Sequence, residues 1–157
     1  MAKNRNYWLV GALIDDVNEI NSLLKEGRWT QNKKDKLVRD KVKKMRPGDK
    51  IAIKATFWQQ DNLPFTLPGH VTIRNVAVTR IKATGTIRKN PGNGLSVTVQ
   101  WDRKQDPTDW YFFTYQPAVW KLTQTSWRHE ALIDFVFNNE DQEFGRFIEF
   151  YHPHPDD

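Results

Sequence analysis

The chain has 157 residues, 38% hydrophobic and 27% charged, with no cysteine. That length matches one compact domain, and the lack of cysteine excludes disulfides and thiolate metal sites. No apolar run approaches the ~18 residues of a membrane span or follows a basic leader, so a soluble cytoplasmic protein with no membrane partner is expected. A formal charge of +5 favours polyanionic partners. Seven Trp among 13% aromatic residues exceed what a small core needs, so some rings are expected to face a ligand.

Residues Tyr7 to Leu13 form an apolar run, which predicts a short strand buried on both faces and central in a sheet. Asp16 with Glu19 resembles a capping pair, and Val17, Ile20, Leu23 and Leu24 at helical spacing predict a first helix stopped by Gly27. Leu37, Val38, Val42 and Met45 predict a second helix, ended by Arg46-Pro47-Gly48. From Lys50 to Trp58 the pattern alternates, with Ile51, Ile53, Ala55 and Phe57 on one face and Ala52, Lys54, Thr56 and Trp58 on the other. Gln59 to His70, with two prolines, a glycine and Phe65, reads as a long loop of a length that is often functional. Val71 to Lys89 is rich in β-branched residues, and a change of phase between Val78 and Ile81 predicts a bulge or a break. Asn90 to Gly94 turns the chain into Leu95, Val97, Val99 and Trp101 as a hairpin. Trp110 to Tyr115 is an aromatic strand candidate. Ser126 caps a helical or mixed segment carrying Trp127, Ala131, Leu132 and Phe135. Phe144, Phe147, Ile148 and Tyr151 are helically spaced, and His152 to Asp157, with two prolines, reads as an exit linker. About six strands and three helices in mixed order define an α+β fold with a strongly curved sheet, as one domain over residues 1–151.

Lys33 to Arg46 holds eight Lys or Arg against Asp35 and Asp40, a local +6 that exceeds the charge of the whole chain. A solvated helix face and a phosphate-binding face both fit this run. On the second reading Lys33, Lys34, Lys36, Arg39, Lys43 and Lys44, joined by Lys54, are the phosphate contacts. Trp29 follows a helix stop and precedes a polar stretch, so a ligand pocket and a core position fit it equally. Trp58 lies opposite Ile51 and Ile53, its ring away from the main core, whereas Phe57 is core by parity. Trp8, Trp101, Trp110 and Trp120 sit in apolar strand patterns and are expected in the core. The phosphate loop Gly-x4-Gly-Lys-Ser/Thr, the Gly-x-Ser-x-Gly elbow and the His-Glu-x-x-His zinc pair are all absent. His129-Glu130 is an isolated pair, and His152, His154 and Asp156 lie on a proline-bound tail with little preorganisation for a metal. No catalytic residue, metal or cofactor is therefore expected.

Several motifs in order, Tyr7-Trp-Leu-Val-Gly-Ala, Gly27-Arg-Trp29, Met45-Arg-Pro-Gly-Asp-Lys-Ile-Ala-Ile-Lys54, Leu63-Pro-Phe65, Ile81-Lys-Ala-Thr-Gly-Thr86, Trp110-Tyr-Phe-Phe-Thr-Tyr115 and Ala131-Leu-Ile-Asp-Phe135, span nearly the whole chain. Together they resemble the N-terminal DNA-recognition domain that precedes the AAA+ motor in McrB-like, modification-dependent restriction proteins. More distantly they are similar to EVE and YTH domains of the PUA-like superfamily. The resemblance implies a curved, barrel-like mixed sheet with flanking helices and a pocket that receives one modified base. Carried over by position, the pocket is the backbone of Gly11, Ala12 and Leu13, the ring of Trp29, and the segment Thr56-Phe57-Trp58, with Tyr115 a further candidate. It also implies partners for phage defence: duplex DNA carrying a modified base, an AAA+ GTPase domain joined beyond the exit linker, and a separate nuclease subunit.

The expected mechanism is base flipping. The basic helix holds the duplex backbone, the loop Gln59 to His70 fills the gap, and the extruded base stacks on Trp29, with Asp15, Asn32 or Asp35 reading a base edge. 5-Methylcytosine is the expected target, because modified cytosine dominates the restriction class that the chain resembles, and methyladenine is the alternative. RNA binding, a stand-alone nuclease and a protein-interaction domain are the competing readings.

Overall fold

The computed structural model describes residues 5–14, 17–31, 35–67, 69, 75–103, 106–115 and 117–151. In chain order these form β1 (Tyr7–Val10), β2 (Leu13–Ile14), β3 (Val17–Asn18), α1 (Ile20–Glu26), β4 (Arg28–Thr30), α2 (Lys36–Lys43) and β5 (Lys50–Gln59). There follow β6 (Val76–Lys89), β7 (Ser96–Trp101), β8 (Thr108–Tyr111), β9 (Val119–Leu122), α3 (Trp127–Phe137) and α4 (Phe144–Tyr151). The fold is α+β: a strongly curled, mixed half-barrel sheet flanked by four helices.

Strands run side by side in the order β4-β7-β6-β5-β1-β9, and β8 pairs with the first half of β6, on the edge whose second half pairs with β7. β1 is central as expected, parallel to β5 and antiparallel to β9. A bulge is present, but past the expected interval, since Val78 to Ile81 pair with β5 without a break. Ile53 pairs with Ala83 but Lys54 pairs with Ile81, so Lys82 is an extra residue, which bends β6 and adds to its twist.

All six strands of the ordered path contribute side chains to one apolar cluster, including Trp8, Trp29, Ile53, Ile87, Val99 and Val119, as only a sheet curled around that cluster allows. Val42 of α2 joins this inner core, and α2, which follows β4 in the chain, also packs against β9 at the opposite sheet edge. α2 thus spans the open seam of the half-barrel. The outer face carries a second cluster, in which Leu9, Ala52, Trp110, Trp120 and Leu122 meet Leu132 of α3 and Phe147 of α4.

Local signals hold where a single residue controls the backbone. Gly27 ends α1 in the left-handed region at φ 65°, and Ser126 caps α3 through its hydroxyl. Three expectations need correction. α1 begins at Ile20 after Glu19, whose side chain makes no cap hydrogen bond, and Val17 lies in β3; Asp16 lies outside the described residues. Leu37 is 72% exposed: Val38 and Val42, four apart, form the buried stripe of α2, and Leu37 is turned ~100° away from it. The aromatic strand stops at Tyr111, because Phe112 adopts φ 78° and turns the chain off the sheet. Strands β4 and β9 add to the expected elements, and the described residues contain four helices where three were expected. His70 to Arg74 and the tail from His152 lie outside the described residues.

Candidate functional site

Parallel pairing of β1 with β5, in the register Val10 to Ile53, brings the ends of two strands together, so that Gly11 and Ala12 follow β1 beside Lys54. β9 enters from the other side, and the Gly11 N–H donates to Ala118 O at 2.9 Å. To reach β9 from β8 the chain must cross β6, β5 and β1. Phe112 starts this crossing, its N–H donating to Ala77 O, and Lys54 meets it midway, its Nζ donating to Tyr115 O at 2.9 Å.

The result is a buried ammonium. Lys54 is only 6% exposed, and burial pushes its pKa from 10.5 down to about 8. An ammonium carries three donors, and among the described residues no carboxylate pairs with it. Thr56, two residues on and on the same face, stands directly opposite Thr79 of β6. Among the described residues the Oγ1 atoms of both threonines are buried without a partner. Each unmet buried hydroxyl costs roughly 1–3 kcal/mol. One sheet face therefore holds three adjacent polar groups with unused hydrogen-bonding capacity, an arrangement a ligand with two or more acceptors would satisfy.

Tyr115 forms the rim. Its hydroxyl accepts from Lys41 Nζ at 3.4 Å, the same ammonium lies 5.3 Å from its ring, and Lys41 also reaches Val119 O. The basic helix α2 is thereby tied to the site. Behind Tyr115, at 5.6 Å, lies Trp120, which stacks edge-on with Phe113 and His129. His129 accepts from the Thr123 N–H through Nδ1, and burial, with the nearby Arg128 charge, lowers its pKa.

Of the predicted residues, Tyr115 meets Lys54, which was expected on a phosphate, and Thr56 follows two residues on along the same strand, whereas Ala12 packs into the inner core. Burial of Lys54 corrects its assignment, since an ammonium under the crossing chain cannot track a duplex backbone. Trp29 is also corrected. Its ring is 0% exposed in the inner core, and its Nε1–H donates to Gly11 O at 2.8 Å. The indole supports the Gly11 backbone from behind and offers no free face for stacking. Phe57 is half-buried beside Val78 and Tyr111, under the Arg80 guanidinium, whereas Trp58 is 61% exposed. Tyr115, at 37%, is the other exposed ring of the site.

Lys36, Lys43 and Lys44 project from α2 into solvent, but Arg39 is half-buried, its Nη2 donating to Asn93 O of the β6–β7 hairpin. Asp35 caps α2 by accepting from the Leu37 N–H. Leu13 lies in β2; Asp15, Asn32, Lys33 and Lys34 lie outside the described residues. Sequence reasoning missed Lys41 and Thr79. Lys41 was one more charge in a basic run, and Thr79 one more β-branched residue in a strand.

A separate pocket of about 580 Å³ opens where β7 ends and β8 begins, beside the Lys82 bulge, with Trp101 and Phe135 as rings and Asn21, Asp102 and Asn139 as polar groups. None of the predicted site residues lines it. Neither a protein-family model nor a curated protein sequence matches the chain.

Proposed function

We propose that this chain is a DNA-binding reader that accepts a flipped, methylated base at the Lys54 site and performs no chemistry of its own. The observation that carries the reading is the buried Lys54 ammonium beside the unpartnered Thr56 and Thr79 hydroxyls, tied through Tyr115 and Lys41 to the basic helix α2. Cytosine presents two adjacent acceptors, O2 and N3, on its pairing edge; the ammonium and a threonine hydroxyl supply two donors. This complementarity favours 5-methylcytosine over methyladenine, whose pairing edge offers one acceptor beside a donor. Trp58 and Tyr115 are the stacking faces.

Energetically, flipping costs a few kcal/mol and stacking returns roughly 1–3 kcal/mol per base, so phosphate contacts from Lys36, Lys43 and Lys44 supply most of the affinity. A buried methyl adds only about 0.8 kcal/mol, so discrimination rests on the fit of the pocket. In the full system the reader would deliver duplex DNA to a linked AAA+ GTPase and a separate nuclease.

Fluorescence anisotropy on matched duplexes carrying cytosine, 5-methylcytosine or methyladenine, at two salt concentrations, tests the proposal. A preference for 5-methylcytosine that disappears in Lys54→Met is expected; equal affinity for all three duplexes would sink the reading. The 580 Å³ pocket supports a second reading, since its volume falls within the range of ligand sites. If the base enters there, Asp102→Ala abolishes the preference and Lys54→Met leaves it intact.

A further inference from the structure

The pocket of about 580 Å³ sits at a gap in the sheet. β6 pairs with β8 as far as Ile81 and with β7 from Gly85 onward, so among the described residues Lys82, Ala83 and Thr84 face no strand on that edge. The bulge at Lys82 breaks the alternation of a regular strand, and Ile81, Lys82, Ala83 and Thr84 all line the pocket. Its apolar lining is drawn from both cores, Leu24 and Ala83 from the inner one, Ile81 and Val136 from the outer one. Two half-buried rings stand in its wall, each held from elsewhere: the Trp101 Nε1–H donates to Leu23 O at 3.1 Å, and Phe135 packs 5.2 Å from Trp110.

The polar lining is of two kinds. Asp102 is fixed twice to β6, its N–H donating to Thr84 O at 2.8 Å and its Oδ2 accepting from the Thr84 hydroxyl at 2.7 Å, which leaves Oδ1 as an acceptor. Asp106 and the carboxamides of Asn21 and Asn139 line the same pocket. α3 ends here with no basic residue in its last turn, so its carbonyl end adds partial negative charge. Against these stand Lys25 at the end of α1, the half-buried Lys82 and Arg103, and among the described residues no ion pair ties any of the three to a carboxylate.

We infer that this pocket binds a free nucleoside monophosphate whose base carries an exocyclic amine. Each part of that ligand meets its complement: the flat ring lies against Trp101 and Phe135, the amine donates to the Asp102 carboxylate, a carboxamide pairs with the adjoining ring nitrogen, and the phosphate meets Lys25 and Lys82. The volume suits a ligand of that size. A free nucleotide fits better than one held in a duplex. Asp102 and Asp106 repel the neighbouring phosphates of a strand, and the hairpin held by Arg39 of α2 lies at the other end of β7, roughly 20 Å of strand away. Such a ligand is a soluble effector, separate from the methylated base proposed for Lys54, and it takes the place of the flipped base of the second reading.

Titration of the full chain with adenosine monophosphate, inosine monophosphate and adenosine, followed by amide chemical shifts at constant ionic strength, tests this. Saturable shifts at Leu24, Ala83, Thr84 and Trp101 are expected for adenosine monophosphate. Affinity should be about tenfold or more lower for inosine monophosphate, which has a carbonyl in place of the amine, and for adenosine, which lacks the phosphate. Asp102→Asn should remove the preference for the amine and Lys82→Gln weaken the preference for the phosphate, with the dispersion of each variant's spectrum reporting its fold. Equal affinity for the two monophosphates, or an unchanged preference in a folded Asp102→Asn, would overturn the inference. A duplex carrying 5-methylcytosine is then added: simultaneous binding supports a free nucleotide, and displacement overturns it by assigning the pocket to the flipped base. Mononucleotide binding is read without DNA, so a failed methylcytosine preference leaves it untouched.

Discussion

Burial of an ammonium without a carboxylate partner costs stability, because leaving water disfavours the charged form. For Lys54 the sign follows from its lowered pKa. Below about pH 8 both folded and unfolded chains carry the proton and the full cost is present. Between about 8 and 10.5 only the unfolded chain holds the proton, so this contribution to stability improves as pH rises. Lys54→Met is therefore expected to stabilise the empty domain by roughly 1–3 kcal/mol in urea denaturation at pH 7, a gain that shrinks toward pH 10.5. The same variant should lose base preference, a combination no purely structural lysine would produce. In the wild type, affinity for the modified base should be level below pH 8 and fall above it, as the donor loses its charge.

His129 carries the same sign into acid conditions. Its pKa is lowered by burial and by Arg128, so its stabilising contribution is complete above 6.5 and declines as pH falls below that value. Denaturation at pH 7.5 and 5 should show the decline, and His129→Gln should flatten it. The tryptophans separate by burial. Trp29→Ala removes a fully buried ring from the inner core and should cost about 3–5 kcal/mol. Trp58→Ala should leave stability within about 0.5 kcal/mol and weaken DNA binding by about 1–3 kcal/mol of lost stacking. Near-neutral stability for Trp29→Ala would mean that the ring does not anchor the core.

At the scale of elements, α2 does two jobs with two faces. Val38 and Val42 close the seam of the half-barrel, while Lys36, Lys43 and Lys44 remain in solvent. Replacing these three lysines with Gln should weaken binding to every duplex alike and reduce the slope of log K against log salt by about 0.9 for each phosphate no longer neutralised. An unchanged slope would remove α2 from the interface. The helix is anchored from outside its own sequence: Asn90 Nδ2 donates to Val42 O at 2.9 Å and Met45 O at 2.7 Å, satisfying carbonyls at its C-terminal end. Asn90→Ala should therefore lower stability by about 1–2 kcal/mol, and melting by several degrees. The hairpin signal at Asn90 to Gly94 thus has a second meaning that turn chemistry alone does not carry.

For the whole molecule, legibility follows the range of the interaction. The alternation from Lys50 to Trp58 marked a half-buried strand, yet the structure covers both faces of its first half, Ile51 and Ile53 with the inner core and Ala52 with the cluster that includes α3 and α4. An irregularity in β6 was legible because an extra residue shifts the side-chain pattern, but its place, at Lys82 and not between Val78 and Ile81, was not. β4, three residues long, and β9, four, are too short for any period to show; they are strands because β7 and β1 pair with them. The high tryptophan content suggested several ligand-facing rings, yet Trp8, Trp29, Trp101 and Trp110 all donate their indole N–H groups to protein oxygens, and Trp58 alone of the tryptophans is exposed.

Residue chemistry and short-range pattern determined the class of fold, the stop of α1 at Gly27, the Ser126 cap of α3, the hairpin and the basic face of α2, because each depends on dihedral preferences or periodicity within a few positions. Tertiary structure decided what those side chains face. Trp29 turned from pocket wall to core support because the end of β1 places Gly11 O against its indole. Lys54 turned from surface cation to buried donor because a segment 61 residues further along the chain crosses over it. Desolvation is a property of what covers a group, and the covering chain is chosen by strand order, which no local pattern contains.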